Sequence, residues 1–277
     1  MGKDEIFEES CVRMNSTVDV SVETIWDQLR REAKDVAACE EALAPFINRC
    51  VLGHQDVSAA LACVLSGEMA SDHLPQAPLF ATFREAMDAD SNIILAALTD
   101  LQAHLDRDPA SVGYLTPFLY FKGFHALQGY RMAHWLWDQD RKDMALYLQG
   151  RCSREYDVDI HPAAKIGRGI MIDHGSGMVI GETAVVEDDV SMLHGVTLGG
   201  TGKECGDRHP KIRRGVLLAA GARILGNIEI GEGAKVGASS LVLEPVEPHT
   251  TVAGVPAKVV GKPKAESPAL EMQQELD

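Results

Sequence analysis

Ile224-Leu225-Gly226-Asn227-Ile228-Glu229-Ile230-Gly231-Glu232-Gly233-Ala234-Lys235-Val236-Gly237-Ala238-Ser239-Ser240-Leu241-Val242 returns an aliphatic side chain every sixth residue, at 224, 230, 236 and 242. Upstream, the same period runs through Ile212 and Leu218, through Ile180, Val186, Met192 and Leu198, and through Ile160, Ile166 and Ile172, thirteen positions in all. Four places after the aliphatic stands a small or β-branched residue, as at Ala164, Ser176, Ala184, Val190, Val216, Ala222, Ala234 and Ser240. Glycine often follows the aliphatic directly, as at Gly167, Gly181, Gly231 and Gly237.

A period of six matches neither the helical repeat nor the alternation of one long strand. It matches a short strand plus a corner, wound into a triangular prism with three hexads per coil. The aliphatics then stack inward, small residues fill the corners, and each coil buries the apolar face of the next at the spacing of paired strands. Residues 158–260 therefore read as a parallel β-helix. Its resemblance to known hexapeptide prisms, not the period itself, implies a left-handed winding, against the usual right-handed crossover.

The register breaks twice. Ile172 to Ile180 spans eight residues rather than six, and Leu198 to Ile212 spans fourteen rather than twelve. Surplus residues in a solenoid must bulge outward, and loops on rigid scaffolds are where sites gather. Each break holds a histidine, His174 in the first and His209 in the second.

Before Ile160 the pattern is helical. Ile25, Leu29, Ala33 and Val36 share one face, as do Val57, Leu61 and Val64, and Ile94, Leu98, Leu101 and Leu105. Thr116-Pro117 reads as a helix start, and Phe118 to Leu148 as one long helix, apolar on nearly all sides, that is deeply buried or an oligomer contact. Trp26, Trp135 and Trp137 read as core. The predicted organisation is α+β: a helical oligomerisation domain over 1–157, the left-handed β-helix over 158–260, and a flexible tail over 261–277 that carries Pro263, Pro268 and several acids.

Composition narrows the function. A net charge of −15, from 26 basic and 41 acidic residues, argues against nucleic acid and against an anionic membrane surface. The six cysteines (Cys11, Cys39, Cys50, Cys63, Cys152, Cys205) show no CxxC pair and fit reduced thiols in a cytoplasmic protein. The first ten residues lack an apolar signal core, and Ile6 occupies the Ser/Thr position a myristoylation signal at Gly2 needs. Basic residues cluster between Lys203 and Lys264, which fits either a phosphate-bearing ligand or an ordinary solvated surface. Gly199-Gly200-Thr201-Gly202-Lys203 is not a P-loop: Thr197 stands at the leading glycine and Glu204 follows the lysine. Asp159 and His174 are fifteen apart, near one eighteen-residue circuit, so they fall on adjacent coils. An Asp that accepts from one imidazole nitrogen leaves the other free as a base.

The stretches Val158-Asp159-Ile160-His161-Pro162-Ala163-Ala164, Ile172-Asp173-His174-Gly175 and Gly206-Asp207-Arg208-His209-Pro210-Lys211-Ile212-Arg213 resemble the serine O-acetyltransferase family. So do Lys122-Gly123-Phe124-His125-Ala126-Leu127-Gln128 and Ala253-Gly254-Val255-Pro256-Ala257, and the likeness runs from about Thr24 to Pro263. The resemblance implies transfer of acetyl from acetyl-CoA to the L-serine hydroxyl, the first step from serine to cysteine, with no permanent cofactor and no metal. It implies catalytic roles for His174 as general base, Asp159 as its partner, and His209. Asp108, Asp173, Arg208 and His209 would hold the serine zwitterion; Gly200, Thr201, Ala220 and Lys235 would line the CoA site. It further implies a trimer, or a dimer of trimers, and feedback inhibition by cysteine. The family's partner, O-acetylserine sulfhydrylase, captures a C-terminal isoleucine; Asp277 would be desolvated in that pocket, so a weak or absent complex is expected. Three rivals stay open: a hexapeptide acetyltransferase with another acceptor, a zinc hydratase built on His161, His174, His194 and His209, and an inactive scaffold.

Overall fold

The computed structural model describes residues 22–202 and 205–275. The readings that rest on Gly2, Ile6, Cys11, Lys203, Glu204 and Asp277 lie outside the described residues. Helices fill the first half: α1 (Val22–Cys39), α2 (Ala44–Ile47) running into a π-helical turn at Asn48–Leu52, α3 (Val57–Met69), α4 (Gln76–Ala89), α5 (Ser91–Arg107), α6 (Leu115–Tyr120), α7 (Lys122–Asp138) and α8 (Lys142–Tyr156). The periodic positions of α1, α3 and α5 face the core, with Leu29, Ala33, Leu61 and Leu101 at most 1% exposed.

The single long helix expected over 118–148 is three. Phe121 is extended (φ −89°, ψ 104°) and separates α6 from α7, and Asp140 takes a left-handed conformation within the polar run Asp138-Gln139-Asp140-Arg141 that ends α7. Helix α6 starts at Leu115, and Thr116 does not cap it. Every residue of α7 from Gly123 to Ala133 is buried, as an all-round apolar helix requires.

Asp157, left-handed at φ 58°, ends α8 and turns the chain into the β-helix. The first coil is β1 (Val158–Ile160), β2 (Lys165–Ile166) and β3 (Met171–Ile172); the second is β4 (Met178–Ile180), β5 (Val185–Val186) and β6 (Ser191–Met192). The third is β7 (Thr197–Gly199), β8 (Lys211–Ile212) and β9 (Leu217–Leu218); the fourth is β10 (Arg223–Leu225), β11 (Glu229–Ile230) and β12 (Lys235–Val236). β13 (Leu241–Val242) and β14 (Thr251–Gly254) begin a fifth, and β15 (Ala257–Gly261) folds back antiparallel on β14. Three faces result: β1-β4-β7-β10-β13, then β2-β5-β8-β11, then β3-β6-β9-β12-β14. Ile160, Ile180, Leu198, Ile224 and Val242 stack in register up the first face. Of the thirteen periodic aliphatics all but Ile166 are buried, at 3% exposure or less. Each contributes roughly 1.5–3 kcal/mol relative to exposure.

The second break in register is larger than the sequence reading allowed. Leu198 lies on the first face and Ile212 on the second, so their normal separation is one hexad. The excess is therefore eight residues, a whole hexad more than expected. A modulo-six count cannot distinguish the two lengths.

Helices α5 and α7 cap the open end of the prism, where unpaired strand groups would otherwise be exposed. Arg131 donates to the Gly167 carbonyl (2.7 Å), Arg107 to the Gly169 carbonyl (2.9 Å) and Tyr130 to the Ala164 carbonyl (2.5 Å). Buried Asp100 accepts from Arg131 (2.6 Å) and from the Ile170 N–H (2.9 Å).

The tail expected to be flexible packs instead. Ala265, Pro268 and Ala269 are buried, α9 (Pro268–Glu271) lies along the prism, and Ser191 Oγ donates to the Ala269 carbonyl (2.8 Å). Its apolar residues find a groove that composition does not reveal. The basic residues around 208–214 mostly pair with acids: Arg213 with Glu187 and Glu229, Arg214 with Asp188 and Asp189, Lys211 with Asp207. Cys39, Cys50, Cys63, Cys152 and Cys205 are free thiols. Among the described residues no helix is long and apolar enough to cross a membrane.

Candidate active site

The two register breaks lie on different edges of one face. Residues 173–177 form the corner that leads from the third face into β4, while residues 200–202 leave the first face after β7 and residues 205–210 lead into β8. Within one chain His174 and the His209 loop flank opposite ends of strands three residues long, about 10 Å of backbone.

His174 is held lightly. Its backbone is left-handed (φ 58°), its side chain is 74% exposed, and its Nε2 lies 3.8 Å from Asp173 Oδ1. The His194 ring, one coil above, packs edge-on at 5.8 Å between centroids. What is fixed is the corner itself. Gly123, at the start of α7, lies so close that a Cβ there would stand 2.2 Å from the Ile172 carbonyl oxygen. Lys122 reaches over to hydrogen-bond Ser176. The helical half therefore grips the residues on both sides of Asp173-His174.

Asp159, in the middle of β1, pairs with Val179 one coil on. Its Oδ1 accepts from Gln149 Nε2 of α8 at 2.6 Å. Among the described residues no hydrogen bond joins Asp159 to His174.

His209 is the opposite case. It is buried, and its Nδ1 receives the Thr183 N–H at 3.1 Å. A backbone N–H only donates, so Nδ1 is the unprotonated nitrogen and the ring presents Nε2–H. The Thr183 hydroxyl bonds the same Nδ1 at 2.8 Å and also the backbone N–H groups of Arg208 (3.0 Å) and His209 (3.1 Å). Burial, and then the Arg208 charge, hold the His209 pKa below the ordinary histidine value, which keeps the ring neutral. The ring fits because Gly181 has no side chain: a Cβ there would meet His209 Nε2 at 2.0 Å. Arg208 donates to Glu182 (2.7 Å) and to the Gly206 carbonyl (3.1 Å), and its hydrogen bond holds the Glu182 carboxyl below the usual range.

The remaining expected residues are dispersed within one chain. Asp108 ends α5 and accepts from the Ala110 N–H at 2.8 Å. Gly200 packs against Arg208, and exposed Thr201 reaches toward Gly226. Ala220 lies at the same prism edge as His174 and His194, two coils above His174. Lys235 is only 3% exposed, and its ammonium reaches the Glu275 carbonyl of the C-terminal segment, not open solvent where a phosphate would approach. Among the described residues no group of three or more His, Cys, Asp or Glu is placed to hold a metal ion. Sequence reasoning missed Gln149, Glu182 and Thr183. Thr183 could have been noticed as a hydroxyl within a hexad, but Gln149 carries no signal in a helix full of polar residues.

Residues 25–129 match the family model described as serine acetyltransferase, N-terminal. A serine acetyltransferase of Salmonella typhimurium is 54% identical over 256 residues, covering 92% of this chain and 94% of the relative. Serine acetyltransferase 2 of Arabidopsis thaliana is 49% identical, over 94% of this chain and 81% of the relative. A solved serine acetyltransferase of Vibrio cholerae superposes with a TM-score of 0.91 at 54% identity, over 92% of this chain and 99% of that one. A serine acetyltransferase of Brucella abortus solved with coenzyme A gives 0.85 at 47% identity, over 86% and 95%. A serine acetyltransferase in complex with cysteine gives 0.90 at 52% identity, over 92% and 99%.

Proposed function

The chain belongs to the serine acetyltransferase family and is an acyltransferase, and on that premise we propose direct acetyl transfer from acetyl-CoA to the L-serine hydroxyl with His174 as general base and Asp159 as its positioning partner. The observation that carries this reading is the reach of the likeness, 92% of the chain, across the helical half as well as the prism. A prism alone would leave the acceptor open, since one fold hosts many functions.

In the proposed step a neutral His174 nitrogen takes the hydroxyl proton as the serine oxygen attacks the thioester carbonyl. The tetrahedral intermediate expels CoA thiolate, which takes the proton back from the imidazolium, leaving O-acetylserine and free CoA. An imidazole suits this because its ordinary pKa, about 6.5, lies near the working pH. Arg208 has N–H groups beyond those given to Glu182 and Gly206, and His209 offers Nε2–H; together they supply donors for the serine carboxylate. Asp108 and Asp173 are assigned the ammonium group. Gly200, Thr201 and Ala220 are assigned the CoA arm by the resemblance of their sequence stretches to the family, and a relative in that family was solved with coenzyme A. Lys235 would join them only if its contact with Glu275 gives way.

Because His174 and His209 flank opposite edges of one face, the complete site is proposed to lie between neighbouring β-helices of a trimer, with the helical halves available to join two trimers. Exposed Val179, beside Asp159 in register, would be covered there. Cysteine, nearly isosteric with serine, should compete at this site, as the relative solved with cysteine suggests. Free thiols fit a reducing, cytoplasmic setting.

The test is thiol release from acetyl-CoA with L-serine, homoserine, a sugar acceptor or none, in wild type and His174→Ala. Serine-dependent release that collapses in the variant is the expected result. Equal release with every acceptor, or an unimpaired variant, would refute the assignment.

A further inference from the structure

We propose that Gln149 is a positioning residue for acetyl transfer, one that aims the Asp159 carboxylate from the helical half of the molecule; the proposal rests on the reading of Asp159 and His174 as a working pair. Asp159 stands in the middle of β1, two residues past the left-handed Asp157 that ends α8. That tight reversal lays β1 beside the helix it has just left. Gln149, half-buried two turns back along α8, then reaches Asp159 Oδ1 with Nε2 at 2.6 Å. Oδ2 has no hydrogen-bond partner among the described residues, so the carboxylate is fixed by one oxygen and offers the other.

The neighbours make the choice of a neutral donor informative. Cys152, one turn along α8 from Gln149, is buried, and burial pushes its thiol up to about 12, so it carries no charge beside Asp159. On the far side His161 has its pKa lowered, mainly by burial, and its Nδ1 accepts from the Ala163 N–H, which makes it the neutral tautomer. An Arg or Lys in place of Gln149 would orient the carboxylate and also neutralise it. An amide orients it and leaves the whole negative charge to stabilise an imidazolium on a base. No other side chain of the helical half hydrogen-bonds the Asp159 carboxylate among the described residues. The link makes the helical domain part of the catalytic geometry as well as a cap on the prism.

The experiment is a double-mutant cycle on the full-length chain: wild type, Gln149→Met, Asp159→Asn, and both together, with kcat, both KM values, thermal midpoint and oligomeric mass for each. Gln149→Met keeps length and removes the donor. The expected result is a kcat lowered about tenfold, the order set by one hydrogen bond to a charged group, with both KM values within about twofold of wild type. In the Asp159→Asn background the same substitution should change kcat by less than about twofold. Gln149→Glu, isosteric and like-charged, should also lower kcat, and it stands in if the methionine variant does not fold. Wild-type kcat in Gln149→Met beside a slow Asp159→Asn would overturn the proposal and leave the pair intact. A full, additive loss in the double variant would also overturn it, because the effect would then not run through Asp159. Wild-type kcat in Asp159→Asn would sink the underlying pair, and the proposal with it.

Discussion

The two histidine loops of the prism solve opposite problems. The break at His174 adds two residues and leaves an exposed ring on a corner gripped from behind by α7. The break at His209 adds eight and folds its histidine down against Gly181 and Thr183, where the tautomer and the neutral state are fixed. A group that must take a proton and give it back gains from a lightly held ring on a rigid corner. A group that only donates to substrate gains from being locked in advance. If that contrast holds, the two positions should fail differently. His174→Gln should lower kcat about 10²- to 10⁴-fold, the usual worth of a general base, with little change in the KM for serine. His209→Gln should act chiefly on the KM for serine. Equal effects on kcat and KM at both positions, measured by steady-state thiol release, would erase the distinction.

Two glycines sharpen it from the side of packing. At Gly123 the obstacle to a side chain is backbone, the Ile172 carbonyl at 2.2 Å, which cannot rotate away. Gly123→Ala should therefore push α7 off the His174 corner and destabilise the fold by about 1–3 kcal/mol, with a lowered kcat in whatever remains folded. Chemical denaturation and kcat are the readouts, and a neutral substitution would mean the corner is not held by α7. At Gly181 the obstacle is the His209 ring, at 2.0 Å, and a ring can swing if it gives up its bonds to Thr183. Gly181→Ala should cost less stability than Gly123→Ala and raise the KM for serine, leaving the KM for acetyl-CoA near wild type.

What could be read from the sequence follows the same division. The prism was legible because each inward position repeats a local demand every six residues, and Ile160, Ile180, Leu198, Ile224 and Val242 do stack on one face. The loop after Leu198 is one hexad longer than its phase implies, because a period records phase and not length. The turn at Asp140 is hidden in the sequence because apolar content on either side outweighs four polar residues, and a turn of that size leaves little trace in a periodicity count. The composition of the tail implies flexibility, but Ala269 and Pro268 are small and apolar enough to be buried against residues far away in the chain. Of the site, the residues inside the two breaks were marked by the broken register. Gln149, Lys122 and Thr183 were not, since each acts only through a contact between distant segments.

The smallest expected effect separates the loops by proton linkage. Burial lowers the pKa of His209 in the folded chain relative to the ordinary histidine value of about 6.5. A depressed pKa means the unfolded chain binds this proton at a higher pH than the folded one. The stabilising contribution is therefore fully present above about pH 6.5 and is lost as the pH falls from there toward the folded value. Buried His104 adds to the same slope: among the described residues it has no hydrogen-bond partner on either ring nitrogen, and burial holds it down to about 3. Unfolding free energies measured between pH 7.5 and 5 should thus fall with acid in wild type, fall less in His209→Gln, and fall less again when His104→Phe is added; carboxylates titrate mostly below that range, at about 4. An unchanged slope in His209→Gln would mean that the second loop does not lock a neutral ring, and the contrast between the two loops would then rest on exposure alone.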